Sequence, residues 1–360
     1  MKLALGIRDF DAPHADINQA CTPPGSFYTD SARLAREFET VWARSWQYVG
    51  RADQLRTHGD YFTARIGSEP LLFVRDGELI RGFFNVCRHR AGPLAQGCGH
   101  ASRIVCRYHG WSYSLQGELM RAPEMDGAQP FDTSKIHLEP VHVHVLGPLI
   151  FAALDRETAP FDHYHPHLAD ECAPFHLERL RHVMTRDYRV AANWKVYVDN
   201  YLEGYHVPLV HPALNREIDY KAYETVLATR RVLQHAPVRP ESASLYRQVS
   251  GEPDASYYWL FPNIMLNLYE RQLQVNVVIP ESVDRTIVRF EWFALDAGAE
   301  FAEDPHFREL LELTEVVQAE DAGICEAVYG NLHSSAYHSG PYSPTRETGV
   351  HHFHRLMLAW

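Results

Sequence analysis

The chain has 360 residues, 46% hydrophobic and 22% charged, with a formal net charge of −12. That balance supports a buried core, excludes wholesale disorder, and leaves no basic face for the phosphates of a nucleic acid. No apolar run is long enough for a membrane span, and the apolar stretch of MKLALGIRDFDAPHAD is too short for a secretory signal, so a cytoplasmic protein is expected, of two or three domains or of one domain carrying a large insertion.

Residues 1–27 read as an irregular arm, after which Asp30 or Ser31 caps a helix running to about Arg44, with Leu34, Phe38, Val41 and Trp42 on one side. From Trp46 to Asp155 short apolar runs alternate with turn signals, and Asp76-Gly77 and Gln116-Gly117 mark hairpins. Segment 161–185 is mixed, 193–206 reads as helical, and 229–256 is polar and Pro-bearing, the pattern of a mobile loop or lid. YYWLF, IMLNLY, QLQVNVVI and TIVRFEWFAL then read as strands, the last two joined by a turn at Glu281–Asp284. A helix of about 25 residues starts near His306 and precedes a tail rich in Gly, Ser, His and Tyr. The expected class is α+β. A small all-β domain, 43–155, is inserted in a domain of 1–42 and 156–360 built from an antiparallel sheet and helices.

Two ligand pairs stand out in the β segment. The chain reads NVC-R-H-RAGPL and, after residues 90–105, C-RY-H-GWSY, so Cys87, His89, Cys106 and His109 form a C-x-H and a C-x-x-H. Structural zinc sites space their cysteines two to four residues apart, which C-x-H does not supply. A Rieske [2Fe–2S] centre needs two thiolates on one iron and two imidazoles on the other, and one Cys with one His from each loop provides them. The segment about 70–120 resembles the Rieske domain of ring-hydroxylating oxygenase α subunits, with Gly110 and Trp111 completing the C-x-Y-H-G-W run. Gly92 and Tyr108 stand where cytochrome-complex Rieske proteins carry an extra disulfide. Their presence resembles the unbraced, lower-potential oxygenase type. Cys21, Cys98, Cys172 and Cys325 are expected to be inert packed thiols.

The second constellation lies in NWKVYVDNYLEGYHVPLVHP. His206 and His211 would lie about 140° apart on a continuous helix. Pro208 is expected to end the helix near His206, and Pro212 biases His211 toward an extended conformation, so both imidazoles can converge on one ion. Two structural histidines are the competing reading. A 2-His-1-carboxylate triad also needs an acid. On the long C-terminal helix, Phe307, Leu310, Thr314, Val317, Ile324 and Val328 mark the core stripe, with Asp321 in its gap and Glu320 on its margin as the fallback ligand. A salt bridge or a frayed helix end competes for Asp321.

D-N-Y-L-E-G-Y-H-V-P-L-V-H and E-D-A-G-I-C-E resemble the catalytic domain of the same family, closest in pattern to the choline, betaine, stachydrine and carnitine monooxygenases. The resemblance implies His206, His211 and Asp321 as ligands of a mononuclear Fe(II), and Glu203 as a carboxylate bridging toward the cluster of a neighbouring subunit in a homotrimer. It also implies O2 and a small organic molecule as substrates. Neither a G-x-G-x-x-G after a predicted strand nor a second cysteine cluster is present. Electrons are therefore expected from a separate NAD(P)H-dependent reductase, directly or through a ferredoxin.

Tyr201, Tyr205, Trp259 and Tyr269, with Tyr257, Tyr258 and Phe261 nearby, suit an aromatic cage for a quaternary ammonium, against ordinary sheet core as the plain reading. The favoured reaction is oxidative N-demethylation or C-hydroxylation of an amine or quaternary ammonium compound. The alternative is hydroxylation or dihydroxylation of an aromatic ring. A pure electron carrier would need only 43–155, and a zinc-stabilised binding protein would be colourless.

Overall fold

The computed structural model describes residues 12–129, 131–237, 239, 254–269 and 271–360. Residues 1–11 of the expected arm, and 238 and 240–253 of the expected lid, lie outside them. Two compact units are present: Phe38–Arg179, and Leu180–Trp360 with the chain up to Glu37. The first is wider than 43–155 because short helices at Phe161–Tyr164 and Leu168–Cys172 pack with it. The Phe161 ring lies 4.8 Å from Phe151 and 5.4 Å from Trp46.

The first unit holds β1 (Gln47–Arg51), β2 (Asp60–Ile66), β3 (Glu69–Asp76), β4 (Leu79–Phe84), β5 (Cys98–His100), β6 (Ile104–Val105), β7 (Ser112–Tyr113), β8 (Leu119–Arg121), β9 (Pro140–Leu146) and β10 (Leu149–Ala153). One antiparallel sheet runs β1-β10-β9-β4-β3-β2-β5, and β6-β7-β8 form a small second one. The Asp76-Gly77 hairpin forms as expected, with Gly77 at φ +60°. Leu72, Val74, Phe83, Trp111, Tyr113 and Leu115 build a core that also contains the thiols of Cys87 and Cys106.

In the second unit β11 (Leu180–Val190), β12 (Glu224–Ala228), β13 (Arg231–Pro237), β14 (Asp254–Leu260), β15 (Ile264–Tyr269), β16 (Gln272–Ser282) and β17 (Arg285–Leu295) form one antiparallel sheet, ordered β11-β17-β16-β15-β14-β13-β12. The four late strands lie where expected. Two findings differ from expectation. Residues 180–190 form a full edge strand, and Arg231–Pro237, assigned to the lid, pairs with β12 and β14. As an edge strand, β11 carries polar residues on its open side, which masks its alternation.

Five helices position the site: α1 (Ser31–Glu37), α2 (Trp194–Tyr201), α3 (Val207–Val210), α4 (Pro305–Asn331) and α5 (Thr348–Ala359). Asp30 caps α1 by accepting from the Ala32 N–H at 2.8 Å, but the helix widens into a π turn at Phe38–Trp42 instead of running to Arg44. On α4 the buried stripe includes Phe307 and Leu310, then Gln318, Cys325 and Tyr329; Ile324 and Val328 are exposed. The 3.6-residue period shifts the stripe by one position past Asp321. Cys172 and Cys325 are packed as expected, whereas Cys21 and Cys98 are exposed. Among the described residues no helix is long and apolar enough to cross a membrane.

The start of α2 is anchored by a buried ion pair. Lys195 Nζ lies 2.6 Å from Glu37 Oε1, and Trp194 Nε1 donates to Glu37 Oε2 at 3.0 Å. Burial pulls the Lys195 ammonium toward neutrality while Glu37 opposes it. Glu37→Ala strands that ammonium, so a loss of about 3 kcal/mol is expected. A thermal melt should show the midpoint lowered by roughly 6–12 °C. An unchanged midpoint would remove the pair from the account of how α2 is held.

Candidate metal centres

Each Cys–His pair sits on a backbone-locked loop. The Ala91 N–H donates to Cys87 O at 3.1 Å and the Cys87 N–H to Gly92 O at 2.9 Å. In the second loop the Gly110 N–H donates to Cys106 O at 3.0 Å and the Cys106 N–H to Trp111 O at 2.9 Å. Gly110 has φ +75°, where a side chain would be strained. A Cβ at Gly92 would come 2.9 Å from Cys106 Sγ and 3.3 Å from Tyr108 Cβ, so positions 92 and 108 face each other and neither carries sulfur.

The four side chains of these loops present two buried thiols and two imidazoles. The His89 ring stacks on Trp111 at 4.7 Å and 4°, and meets His109 edge-on at 4.7 Å. His89 Nδ1 is buried with no hydrogen-bond partner among the described residues, an orphan that a metal would satisfy. Burial, with Cys87 beside it, pushes the Cys106 thiol up. Two soft and two borderline donors, one of them orphaned, fit a [2Fe–2S] group.

In the other unit α2 stops at Tyr201, and the Leu202 N–H is shared between Val198 O at 3.1 Å and Asp199 O at 3.2 Å. Pro208 does not end that helix. It sits in the first turn of α3, where its missing N–H has no partner to lose. His206 and His211 flank α3, and Gly204 allows the preceding turn to press against Tyr223, whose ring a Cβ would approach to 2.9 Å. α4 brings in Asp321. One ligand atom each from His206, His211 and Asp321 lies within 4.8 Å of the others. His211 Nε2 is 2.9 Å and His206 Nε2 3.7 Å from Asp321 Oδ1, while Asn200 Nδ2 donates to the same oxygen at 2.6 Å.

The far nitrogens are also engaged. Glu203 accepts from His206 twice, at Nδ1 (2.7 Å) and at the backbone N–H (3.0 Å). Glu320, the fallback ligand in the sequence, instead lies 2.7 Å from His211 Nδ1. Such partners fix the tautomer and orientation of a ligand imidazole. Burial opposes the His211 imidazolium, but Asp321 and Glu320 together raise it. Three carboxylates around two imidazoles leave an excess of negative charge in a half-buried site, which suits a divalent cation.

Residues 45–134 match the Rieske [2Fe-2S] domain, and residues 177–360 match the catalytic domain of the ring-hydroxylating alpha subunit. The chain belongs to the Rieske oxygenases. The chloroplastic choline monooxygenase of Arabidopsis thaliana is 34% identical over 98% of this chain and 85% of its own. The carnitine monooxygenase oxygenase subunit of Escherichia coli K12 is 29% identical over 97% of both. A solved quaternary ammonium Rieske monooxygenase, described for carnitine oxidation by gut microbiota, superposes with a TM-score of 0.84 at 26% identity, covering 96% of each chain. As the oxygenase component, this Rieske oxygenase uses a [2Fe–2S] cluster and a mononuclear non-haem iron, and takes its electrons from a separate partner to act with O2 on a substrate.

In this Rieske oxygenase a cavity of about 140 Å³ adjoins His206, His211 and Asp321. Tyr201 and Tyr269 line it, as does Tyr257. Two of the expected substrate residues do not. Tyr205 is 55% exposed, left outside by the turn that carries His206 inward. Trp259 shares a face of β14 with Tyr257 but lies farther along, fully buried against Phe353 of α5, with Nε1 donating to Pro262 O at 3.1 Å. Sequence reasoning missed the cavity floor, a row of buried amides. Gln234, Asn267 and Gln274 are linked through Tyr257 in successive register, with Asn276 beside them. The signal was present: in QLQVNVV, Gln272, Gln274 and Asn276 alternate with aliphatics on a strand buried on both faces.

Tyr113 would bear on the potential of a cluster held by Cys87. The Arg88 N–H donates to the Tyr113 oxygen at 3.1 Å, which leaves the hydroxyl hydrogen for Cys87 Sγ at 3.2 Å. A donor to a ligand sulfur stabilises the reduced, more negative cluster. Tyr113→Phe is expected to lower the reduction potential of the loaded protein by roughly 40 mV, the equivalent of one hydrogen bond of about 1 kcal/mol. Redox titration followed by electron paramagnetic resonance measures this. An unshifted potential would mean that the hydroxyl serves packing alone.

Proposed function

We propose that this Rieske oxygenase hydroxylates a C–H bond of a small quaternary ammonium compound. The observation that carries the reading is the cavity wall. It holds Tyr197, Tyr201, Tyr223, Tyr257 and Tyr269 with the carboxylates of Glu203 and Asp321, and no Lys or Arg among the described residues. A cation over an aromatic ring gains roughly 0.5–2 kcal/mol per good contact. The phenols stay neutral, because burial pushes Tyr201, Tyr223 and Tyr257 up. Their hydroxyls are tied elsewhere: Tyr201 donates to Asn267 Oδ1 at 2.7 Å and Tyr223 to Gln234 Oε1 at 2.9 Å. Relatives named as choline and carnitine monooxygenases support the same substrate class.

Cys87, His89, Cys106 and His109 would hold the [2Fe–2S] cluster, and His206, His211 and Asp321 would hold the Fe(II). When bound, the two groups would supply single electrons and oxygen activation. The chain's own part is to orient and protect. Glu203 and Glu320 hold the Nδ1 protons of His206 and His211, the tyrosines seat the cation, and the sheet and helices exclude water. One oxygen atom enters the C–H bond and the other leaves as water, with two external electrons and two protons. Where the carbon adjoins nitrogen, the carbinol then loses its proton and breaks the C–N bond, giving an aldehyde and an amine. Electrons come from an NAD(P)H-dependent reductase, directly or through a ferredoxin. A homotrimer is the working assembly, supported by a solved neighbour described for inter-subunit electron transfer.

The test is a single turnover. Chemically reduced, iron-loaded protein is mixed with O2 and a trimethylammonium compound, and the products are read by mass spectrometry. A hydroxylated ammonium compound, or an amine with its aldehyde, is expected. Formation of a cis-diol from an arene, with the ammonium compound untouched, would overturn the assignment.

A further inference from the structure

Placing one oxygen atom in a substrate and releasing the other as water consumes two protons per turnover, and the substrate cavity has no free group to give them. Among its described lining residues the titratable ones are His206, His211, Asp321, Glu203 bonded to His206, and tyrosines. Burial pushes the phenols of Tyr197, Tyr201, Tyr223 and Tyr257 up, away from proton release. Behind the same wall lies a second cavity, of about 390 Å³, and Asn200, Glu203 and His206 line both. On its far side stands a buried set of titratable groups. His354 of α5 is 1% exposed, with Nδ1 2.7 Å from the Tyr342 hydroxyl and Nε2 2.9 Å from the Tyr28 hydroxyl. Tyr28 donates to Oδ2 of Asp199, on α2, at 2.6 Å. Asp199 Oδ1 is buried with no hydrogen bond among the described residues, although His354 Nε2 lies 3.0 Å away, out of line for a bond. Tyr28, Asp199 and His354 all line the second cavity.

We propose that Asp199, Tyr28 and His354 store one proton for the oxygen chemistry and release it into the second cavity, against the wall that carries His206. The loaded form is an imidazolium beside a carboxylate, with Nδ1–H donating to Tyr342 and Nε2–H to Tyr28. On discharge the Nε2 proton moves to the Tyr28 oxygen as the Tyr28 proton moves to Asp199, and Asp199 passes it to water. Neutral His354 and the Asp199 carboxylate remain, and no electron moves. Cavity water reloads the store by the same steps reversed. The cavity suits water, being roomy and lined by Thr22, Asn200, Asn331 and Glu347 as well. The groups facing His354 are Asp199 from α2, Tyr28 from the chain before α1, Tyr342 from the segment before α5, and Glu347 and His351 beside it on α5. Lys195, paired with Glu37, also bears on Asp199 and favours its carboxylate. The store serves any substrate, so it stands apart from the quaternary-ammonium reading.

The test has two arms. In the first, protein labelled with nitrogen-15 histidine and lacking the mononuclear iron is studied by nuclear magnetic resonance. The ring N–H protons of His354, though the residue is 1% exposed, should exchange with water far faster than the amide protons of α5 around it. Tyr28→Phe should slow that exchange at least about tenfold. In the second arm, chemically reduced, iron-loaded protein is mixed with O2 and trimethyl(2-hydroxyethyl)ammonium in H2O and in D2O. Asp199→Asn and His354→Gln keep hydrogen-bonding shape but cannot hold the proton. Each should slow product formation at least about tenfold and enlarge the solvent isotope effect, with the cluster spectrum unchanged. Tyr337→Phe, in the same cavity but bonded to Thr22, should match wild type. Slowing with an unchanged isotope effect would mean that these residues only hold α5 against α2, and the proposal would fall. It would fall equally if the His354 ring protons were as protected as the neighbouring amides in the unsubstituted protein. That measurement needs neither a variant nor turnover, so it decides the matter even where the ammonium probe is not oxidised.

Discussion

Asp321→Ala is expected to empty the mononuclear site and abolish turnover while leaving the [2Fe–2S] chromophore intact. Asp321 is the acid that meets both imidazoles, and its Oδ1 is 2.9 Å from His211 Nε2 and also accepts from Asn200. Without it, two neutral imidazoles remain, too few donors to retain a hard divalent cation. The loss should exceed the roughly 10–100-fold that removal of an outer hydrogen-bond partner costs. Iron analysis should show a deficit of one iron per chain relative to wild type, with the visible spectrum of the cluster unchanged. Full iron content with normal activity would mean that Glu320 or Glu203 is the ligating acid. Loss of the visible spectrum would point instead to a folding defect.

The second large effect is expected at Glu203. Its carboxylate holds His206 at both Nδ1 and the backbone N–H, so truncation to Ala would loosen the ligand as well as remove the charge. Glu203→Gln separates the two, because an amide oxygen can still accept from Nδ1–H. We expect Glu203→Gln to keep both metals and to slow single-turnover oxidation of the reduced cluster by roughly 10–100-fold. Glu203→Ala should show the same slowing together with weaker iron retention. Rapid-mixing absorbance of the cluster is the measurement. If the Gln variant reoxidises at the wild-type rate, the carboxylate merely orients His206 and has no part in linking the two centres.

How far the sequence led differs from residue to residue. Cys87, His89, Cys106 and His109 stand out in the sequence as candidate donors because a C-x-H and a C-x-x-H are local patterns. Each pair lies within one short loop, and no long-range packing is needed to bring its members together. Asp321 was legible by a weaker route, as a charged residue in the gap of an apolar stripe. The stripe itself was followed one register too far, onto Ile324 and Val328. Periodicity counts apolar residues and cannot see that Gln318 is buried and Ile324 is not. Pro208 was read as ending a helix when it begins one, since proline at a first turn and proline after a last turn look alike in a linear string.

Glu320 and the amide row show where the linear signal stops. Glu320 was weighed as a ligand in place of Asp321, and only the crossing of α4 over His211 puts its carboxylate on Nδ1. Tyr205 and Trp259 were grouped with Tyr201 and Tyr269 by composition. A turn exposes one, and α5 covers the other. By itself the sequence determined the oxygenase class, through motifs that resemble the family, and the α+β class, and it marked two sets of candidate donors, because donor type and alternation are properties of neighbouring residues. The tertiary structure alone decided which aromatics face the cavity, that amides form its floor, and which acid stands behind which imidazole. Those facts depend on strand register and helix crossing, which set long-range distances that no local spacing encodes.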